Sequence, residues 1–265
     1  MVLLNVQDVL SQRPLGLVFD IDGTLSPIAP TPDMARLHPD VAPLLEKASN
    51  HSSVHVAIIT GRAVDNGATM VNVPGLTYIG THGLEWSNGL PSVSSVQTET
   101  EAEASVEPGR QLLDLAERYL STLPGLIVER KRIGGAIHYR LCSDPEEARL
   151  QILTLLKEPA KNLNMLLSEG KRVVEIKAPL KVNKGKALRR FVERFGLHGI
   201  IFAGDDRTDL DAVKEIVKLR SEGLASLSIV VKHADTLPEL LENANVVVEE
   251  VEGMVKLLHK MVNSL

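Results

Sequence analysis

Asp20 and Asp22 stand two residues apart in Val18-Phe19-Asp20-Ile21-Asp22-Gly23-Thr24-Leu25, directly after an apolar run. One reading is a turn, since Asp-Gly commonly ends a strand. The other is chemical: one carboxylate attacks phosphorus beside a magnesium ion while the second moves protons. Three more stretches bear on the choice, namely Thr60-Gly61-Arg62, Lys184-Gly185 and Gly204-Asp205-Asp206-Arg207-Thr208-Asp209. Singly, each has an ordinary explanation: a strand-to-helix turn, a solvated lysine, a capped helix start.

Together they form a working set. Asp20 and Asp205, with the main-chain carbonyl of Asp22, offer the hard oxygen ligands that Mg2+ prefers. Such an ion screens the repulsion between an anionic nucleophile and an anionic phosphate. Asp20 is then the nucleophile and carries an aspartyl-phosphate. Asp22 gives a proton to the leaving oxygen and afterwards takes one from the hydrolytic water. Thr60 and nearby N–H groups hold the phosphoryl oxygens, and Lys184 adds a point charge. Asp209 holds a water on the metal or orients Lys184. The expected catalytic set is Asp20, Asp22, Thr60 and Lys184; the expected metal set is Asp20, Asp22, Asp205 and Asp209.

These residues need elements that bring them together. Leu15–Phe19 reads as a short buried strand between Pro14 and the Asp-Gly turn. A helix is expected over 38–49, with Leu44, Leu45 and Ala48 on one face, then a strand over 54–62 and another over 76–80. Strand, helix, strand in this order implies crossover units and a parallel sheet. The middle differs. Residues 91–100 read as a loop, 107–123 as a helix, and 125–141 as two strands around a Gly134-Gly135 hairpin turn. Pro145 opens another helix, and 172–178 alternates as a half-buried strand. This is a small α+β unit inserted into an alternating chain. After Pro179 the alternation resumes with a helix over Lys184–Phe195, a strand over 199–206, a helix over 209–219, two strands and a terminal helix over 251–262. In open parallel sheets ligands bind outside the carboxyl ends of the strands, so three of the four stretches fall on one rim, with Lys184 within reach.

Composition narrows the classes. Aromatics make up 3% and the net charge is −5, against both stacking platforms and a basic phosphate-tracking stripe, so no nucleic-acid partner is expected. Cys142 is the single cysteine, which excludes an internal disulfide and reads as a packed thiol. No apolar run approaches the roughly 20 residues that cross a bilayer, and the first residues lack a leader-like pattern. The expectation is a soluble, cytoplasmic, monomeric protein with no membrane partner; a partner protein is left open.

"DIDGT", "ITGR", "KVNKGKAL" and "GDDRTD", in that order, resemble the four motifs of the haloacid-dehalogenase-like (HAD) phosphatase superfamily. "GTHGLEW", "ERK", "HYR" and "VEIKAPLKVNKGKAL" narrow the resemblance to the trehalose-6-phosphate phosphatase family. The resemblance runs over roughly residues 15–211. It implies an α/β fold: a Rossmann-like parallel-sheet core over 1–90 and 180–265, with an inserted α+β cap of type C2 over 91–179. It also implies a Mg2+-dependent phosphatase of trehalose biosynthesis that cleaves trehalose 6-phosphate, with the cap closing over the sugar. By motif position, Glu129, Lys131 and Glu175 would contact sugar hydroxyls, with His138 and Arg140 beside them, and His82, Gly83 and Glu85 would line the core side. Thr24, Gly61, Arg62 and Asp206 complete the expected substrate-binding set. Two departures touch substrate choice and not the phosphoryl chemistry: "GTH" replaces the more usual residue before the His, and Gly134-Gly135 shortens the cap hairpin.

Other functions remain open at this point. The same chemistry could serve another phosphosugar, such as sucrose phosphate or mannosyl-3-phosphoglycerate. A phospho-receiver also pairs acids, Mg2+ and Lys, but an acid at Asp22 would hydrolyse the phosphate that a receiver must store. A phosphosugar-binding protein without catalysis is the third class, and every chemical residue is present to argue against it.

Overall fold

The computed structural model describes residues 5–98 and 100–265, and the chain divides into two compact units: Met1–Gln97 with Val182–Leu265, and Thr98–Lys181.

The first unit is built on β1 (Leu15–Phe19), whose five residues are all buried. A strand buried on both faces needs an apolar side chain at every position, which is why this run shows no alternation. The short helix α1 (Val6–Leu10) precedes it. After it come α2 (Val41–Ser49), β2 (Val54–Ile59), α3 (Val64–Val71), β3 (Thr77–Gly80), β4 (Glu85–Asn88) and the two-residue β5 (Gln97–Thr98). The second unit holds α4 (Val106–Leu120), β6 (Ile127–Arg130), β7 (Gly135–His138), α5 (Pro145–Asn162), β8 (Leu166–Gly170) and β9 (Val173–Lys177). The chain then returns to the first unit with α6 (Lys184–Phe195), β10 (Gly199–Gly204), α7 (Leu210–Ser221), β11 (Ala225–Lys232), α8 (Pro238–Glu242), β12 (Val246–Glu249) and α9 (Glu250–Asn263).

The large sheet runs in the order β12-β11-β10-β1-β2-β3-β4-β5. Its pairs from β12 through β3 are parallel, and β4 returns antiparallel to β3. From β1 the chain winds one way through β2 and β3 and later the other way through β10, β11 and β12. Adjacent β1 and β10 are therefore the point where strand order reverses, and the crevice beyond their carboxyl ends is where such sheets bind ligands. Leu17 and Phe19 face a core shared with α2 and α9, while Val18, Ala57 and Phe202 face a second core shared with α6 and α7. Helices thus cover both faces, as parallel strands require.

The second unit is an antiparallel sheet in the order β6-β7-β9-β8. Ile137, Val174 and Ile176 pack with Leu112 and Leu113 of α4 and Ile152 and Leu156 of α5. Pairing across the sheet puts Glu129, Ala136, Glu175 and Ser168 in one row on the opposite face. Asp144 caps α5 by accepting from the N–H groups of Glu146 and Glu147, with Pro145 at the first helical position.

Several elements differ from the sequence expectation. α1, α3, β4, β8 and α8 were not foreseen, and β5 lies in the stretch expected to be a loop. β8 is an edge strand with mostly exposed positions, so it carries no alternating signal. α3 is short and contains Asn66 and Gly67, which dilute its apolar face. Among the described residues no helix is long and apolar enough to cross a membrane.

Candidate active site

Each expected residue of the phosphoryl set sits at a strand exit or helix start of the first unit. Asp20 leaves β1 with its N–H donating to Ala203 O of β10 at 2.9 Å, so the sheet ladder itself fixes its backbone. Gly23 follows at φ +84, and a Cβ there would lie 2.2 Å from Asp205 Oδ2; only glycine lets the loop approach that carboxylate. Thr24 Oγ1 lies 3.2 Å from Asp205 Oδ1.

Lys184 begins α6, whose N-terminus is capped by Asn183 Oδ1 accepting from the Lys186 N–H at 2.9 Å. Its ammonium is buried between Asp20 Oδ2 at 3.0 Å and Asp209 Oδ1 at 2.7 Å. Burial opposes the charge, but Asp20, Asp209 and Asp206 outweigh it and hold the Lys184 ammonium well above its usual range. Asp209 Oδ2 accepts from the N–H groups of Asp205 and Asp206 at 3.0 and 3.1 Å. Of the two roles expected for Asp209, orienting Lys184 is the one visible here. Asp206 Oδ1 accepts from Thr208 N and Oγ1, each at 2.8 Å, and from Asp209 N at 3.2 Å.

One oxygen from each of Asp20, Asp206 and Asp209 lies within 4.8 Å of the others. Asp205 and Asp22, expected beside Asp20 and Asp209, carry their carboxylates to other partners: Asp205 to Thr24, and Asp22 to Arg62. Charge does not balance within this group. Four acids, Asp20, Asp205, Asp206 and Asp209, surround the single ammonium of Lys184. Burial pushes Asp20 up to about 7, partly offset by Lys184 and reinforced by Asp206, Asp205 and Asp22. Burial and then Asp209 and Asp206 push Asp205 up to about 8. Burial also opposes the Asp206 charge, but Lys184 and the Thr208 hydrogen bonds outweigh it, so its carboxyl stays below the usual value.

This donor set fits a hard divalent cation, which would offset the excess negative charge. Asp209 has both oxygens committed, and Asp206 Oδ1 already accepts three hydrogen bonds. Asp20, paired with Lys184 through Oδ2, and Asp205, held by Thr24 through Oδ1, each offer a second carboxylate oxygen.

The Thr60-Gly61-Arg62 turn leaves β2 and is stapled to the turn after β3. His82 N donates to Thr60 O at 3.0 Å and Thr81 N to Arg62 O at 2.8 Å. Thr60 is buried, and its Oγ1 accepts from the Arg62 N–H at 3.2 Å. Thr81 and His82 both adopt the left-handed region, at φ 48 and 57, as this tight turn demands. The His82 ring lies over Gly61, where a Cβ would stand 2.8 Å from its Cε1. Glu85 is buried and accepts the Val64 N–H at 2.8 Å, the start of α3. It therefore anchors the helix that follows Arg62. Gly83, at φ +117, packs against Val182 and Ala187 at the start of α6.

The remaining expected residues belong to the second unit. Glu129 Oε2 meets His138 Nε2 at 2.9 Å, and Glu175 meets Lys177 at 2.6 Å, Ser168 at 3.3 Å and Lys131 at 4.0 Å. Arg140 donates to the Lys171 carbonyl at 3.2 Å. Glu129, His138, Lys131 and Glu175 thus form a mutually paired polar cluster on the sheet face away from α4 and α5.

No motif pointed to His233, yet its Nε2 lies 2.7 Å from Gly23 O in the Asp20/Asp22 loop. A histidine immediately after a core strand that ends on the same rim was the available signal.

A family model described as trehalose-phosphatase matches residues 18–249. The trehalose-phosphate phosphatase of Mycobacterium leprae (strain TN) is 32% identical over 242 residues, covering 88% of this chain and 54% of that protein. Trehalose-phosphate phosphatase B of Arabidopsis thaliana is 27% identical over 243 residues, covering 84% of this chain and 63% of that protein. The chain therefore spans little more than half the length of such curated relatives. Among solved structures, the C-terminal domain of C. albicans trehalose-6-phosphate phosphatase aligns with a TM-score of 0.78 at 20% identity, covering 98% of this chain and 97% of that one. A trehalose-6-phosphate phosphatase related protein aligns with a TM-score of 0.76 at 23% identity, covering 93% and 97%. These likenesses show the fold.

Proposed function

The chain belongs to the trehalose-phosphatase family, and from that premise we propose that it is a divalent-metal-dependent phosphatase acting on trehalose 6-phosphate. The observation that carries the reading is Lys184: a buried ammonium seated between Asp20 and Asp209 at the reversal point of a parallel sheet. A purely structural lysine is rarely buried among several acids that one charge cannot balance.

Asp20 and Asp205, with the Asp22 main-chain carbonyl, would hold Mg2+. When bound, that ion neutralises the acids and draws charge from the phosphoryl oxygens. Asp20 attacks phosphorus, and the bond from phosphorus to the sugar oxygen breaks, leaving an aspartyl-phosphate. Asp22 delivers a proton to the departing oxygen. Water then attacks the same phosphorus, Asp22 takes its proton, and the bond to Asp20 breaks to release inorganic phosphate. Lys184 and the Thr60 hydroxyl stabilise the transferring group, and Asp209 keeps Lys184 aimed at Asp20. Glu129, Lys131 and Glu175 of the inserted unit supply the contacts to sugar hydroxyls, so that unit serves as the specificity cap.

The test is phosphate release from trehalose 6-phosphate, sucrose phosphate, mannosyl-3-phosphoglycerate and other phosphosugars, with Mg2+ or with EDTA. Trehalose 6-phosphate should have the highest kcat/KM, EDTA should abolish turnover, and Asp20→Asn should be inert while remaining folded. A tenfold or greater preference for another phosphosugar would reassign the substrate, and full activity of Asp20→Asn would remove the mechanism.

A further inference from the structure

We propose that His233, oriented by Glu250, is a positioning residue that clamps the loop carrying Asp20 and Asp22 against Asp205. His233 follows β11 directly, in a turn closed by its own N–H donating to Thr236 Oγ1 at 2.7 Å. Its ring joins two distant segments. Nε2 lies 2.7 Å from Gly23 O, 210 residues away, and Nδ1 lies 2.7 Å from Glu250 Oε2 at the start of α9. A carbonyl oxygen only accepts, so Nε2 is the donor toward Gly23 O, while Nδ1 faces the Glu250 carboxylate. The His233 side chain is 12% exposed, which sets it apart from a solvated surface histidine.

What the ring grips explains why it matters. Gly23 stands at φ +84, in a region that glycine enters because it has the greatest backbone freedom. That freedom would let the loop wander unless something outside it fixes the peptide. Within the loop, Gly23 N donates to Ser26 O at 2.7 Å, and the N–H groups of Thr24, Leu25 and Ser26 all turn to Ile21 O. Those bonds shape the loop but tie it to nothing. Side-chain contacts do so: Arg62 on Asp22, Ser26 Oγ on Arg36 O, Thr24 Oγ1 on Asp205, and His233 on the Gly23 peptide oxygen itself, with His233 Nε2 also 3.8 Å from Asp205 Oδ2. The ring therefore sits against both the loop and the carboxylate that the loop must face. Glu250 holds the ring from the far side, and it does so from φ 56, an unfavourable backbone setting for a residue with a side chain.

The catalytic consequence rests on the phosphatase reading above; the clamp itself does not. The experiment therefore uses two readouts on the intact chain as wild type, His233→Ala, His233→Gln, Glu250→Ala and the His233→Ala/Glu250→Ala double variant. The first is amide hydrogen exchange at Gly23, Thr24, Leu25 and Ser26 without metal. The second is kcat and KM for trehalose 6-phosphate with Mg2+. His233→Ala should speed exchange in that loop while β1 and β10 keep wild-type protection, and should lower kcat about tenfold with KM changed less than about twofold. His233→Gln, which retains one donor, should recover part of the loss. Glu250→Ala should act in the same direction and less strongly, and the double variant should be no worse than His233→Ala, because Glu250 acts through the ring. Unchanged loop exchange in His233→Ala would overturn the proposal. So would loss of protection throughout the first unit, or wild-type kcat in that variant. Should the wild type hydrolyse no phosphosugar, the phosphatase reading fails and the exchange comparison alone decides the clamp.

Discussion

Arg62 grips both oxygens of Asp22, Nε to Oδ2 and Nη2 to Oδ1, each at 2.7 Å. Its guanidinium is itself held by Asn66 Oδ1 at 2.7 Å and by Pro32 O at 3.2 Å. A two-pronged contact of this kind sets the direction of a carboxylate as well as its distance. The acid assigned to proton transfer is therefore aimed by the turn after β2, although it sits on the loop after β1.

Arg62→Ala should accordingly damage the chemical step. We expect kcat to fall by about 10- to 100-fold with a smaller change in KM, at or below the roughly 100- to 10,000-fold that a positioned acid–base group contributes, because Asp22 itself remains. Arg62→Lys should recover little, since an ammonium cannot match both oxygens. Steady-state kinetics separate this from a direct phosphate contact, which would raise KM first.

Metal removal should couple to pH. Without a divalent ion, burial raises Asp20 to about 7 and Asp205 to about 8. A carboxyl raised above its unfolded value contributes stability at acid pH and loses it as pH climbs through the raised value. In EDTA this contribution should be lost progressively from about pH 4, where the unfolded carboxyls ionise, to about pH 8, while a cation favours the ionised acids. The gain in Tm on adding Mg2+ should thus be larger at pH 8 than at pH 6, as differential scanning fluorimetry can measure. An equal gain at both values would mean that the ion binds elsewhere.

The inserted unit should affect substrate choice without touching phosphoryl transfer. Glu175 is engaged by Lys177, Ser168 and Lys131, so Glu175→Gln should disturb the whole polar row. We expect kcat/KM for trehalose 6-phosphate to drop about tenfold or more, mainly through KM. Hydrolysis of p-nitrophenyl phosphate, which has no sugar hydroxyls, should stay within about twofold of wild type. Equal losses on both substrates would count against a sugar-contact role.

Stability offers a check independent of function. The Tyr78 hydroxyl donates to Val73 O at 2.7 Å and accepts from Val73 N at 3.1 Å, closing the turn between α3 and β3. Tyr78→Phe leaves both buried backbone groups without that partner and should cost about 1–3 kcal/mol. Chemical denaturation should show it as a lower midpoint with an unchanged slope.

The local parts of this protein were legible in the residue order. β1, β2 and β10 stand out because strands buried on both faces need continuous apolar runs, and α6 announces itself through Asn183 and a strong apolar face. Asp20, Thr60, Lys184 and Asp209 were legible because their turns are short and chemically distinctive. What only tertiary structure decided is which of five acids face one another. Asp206 joins Asp20 and Asp209, whereas Asp22 is drawn to Arg62 and Asp205 to Thr24. Spacing along a chain cannot rank those pairings, because each depends on the meeting of strand ends far apart in sequence. His233 is the extreme case: its partners at Gly23 and Glu250 come together only once β11 is laid beside β10 in the sheet.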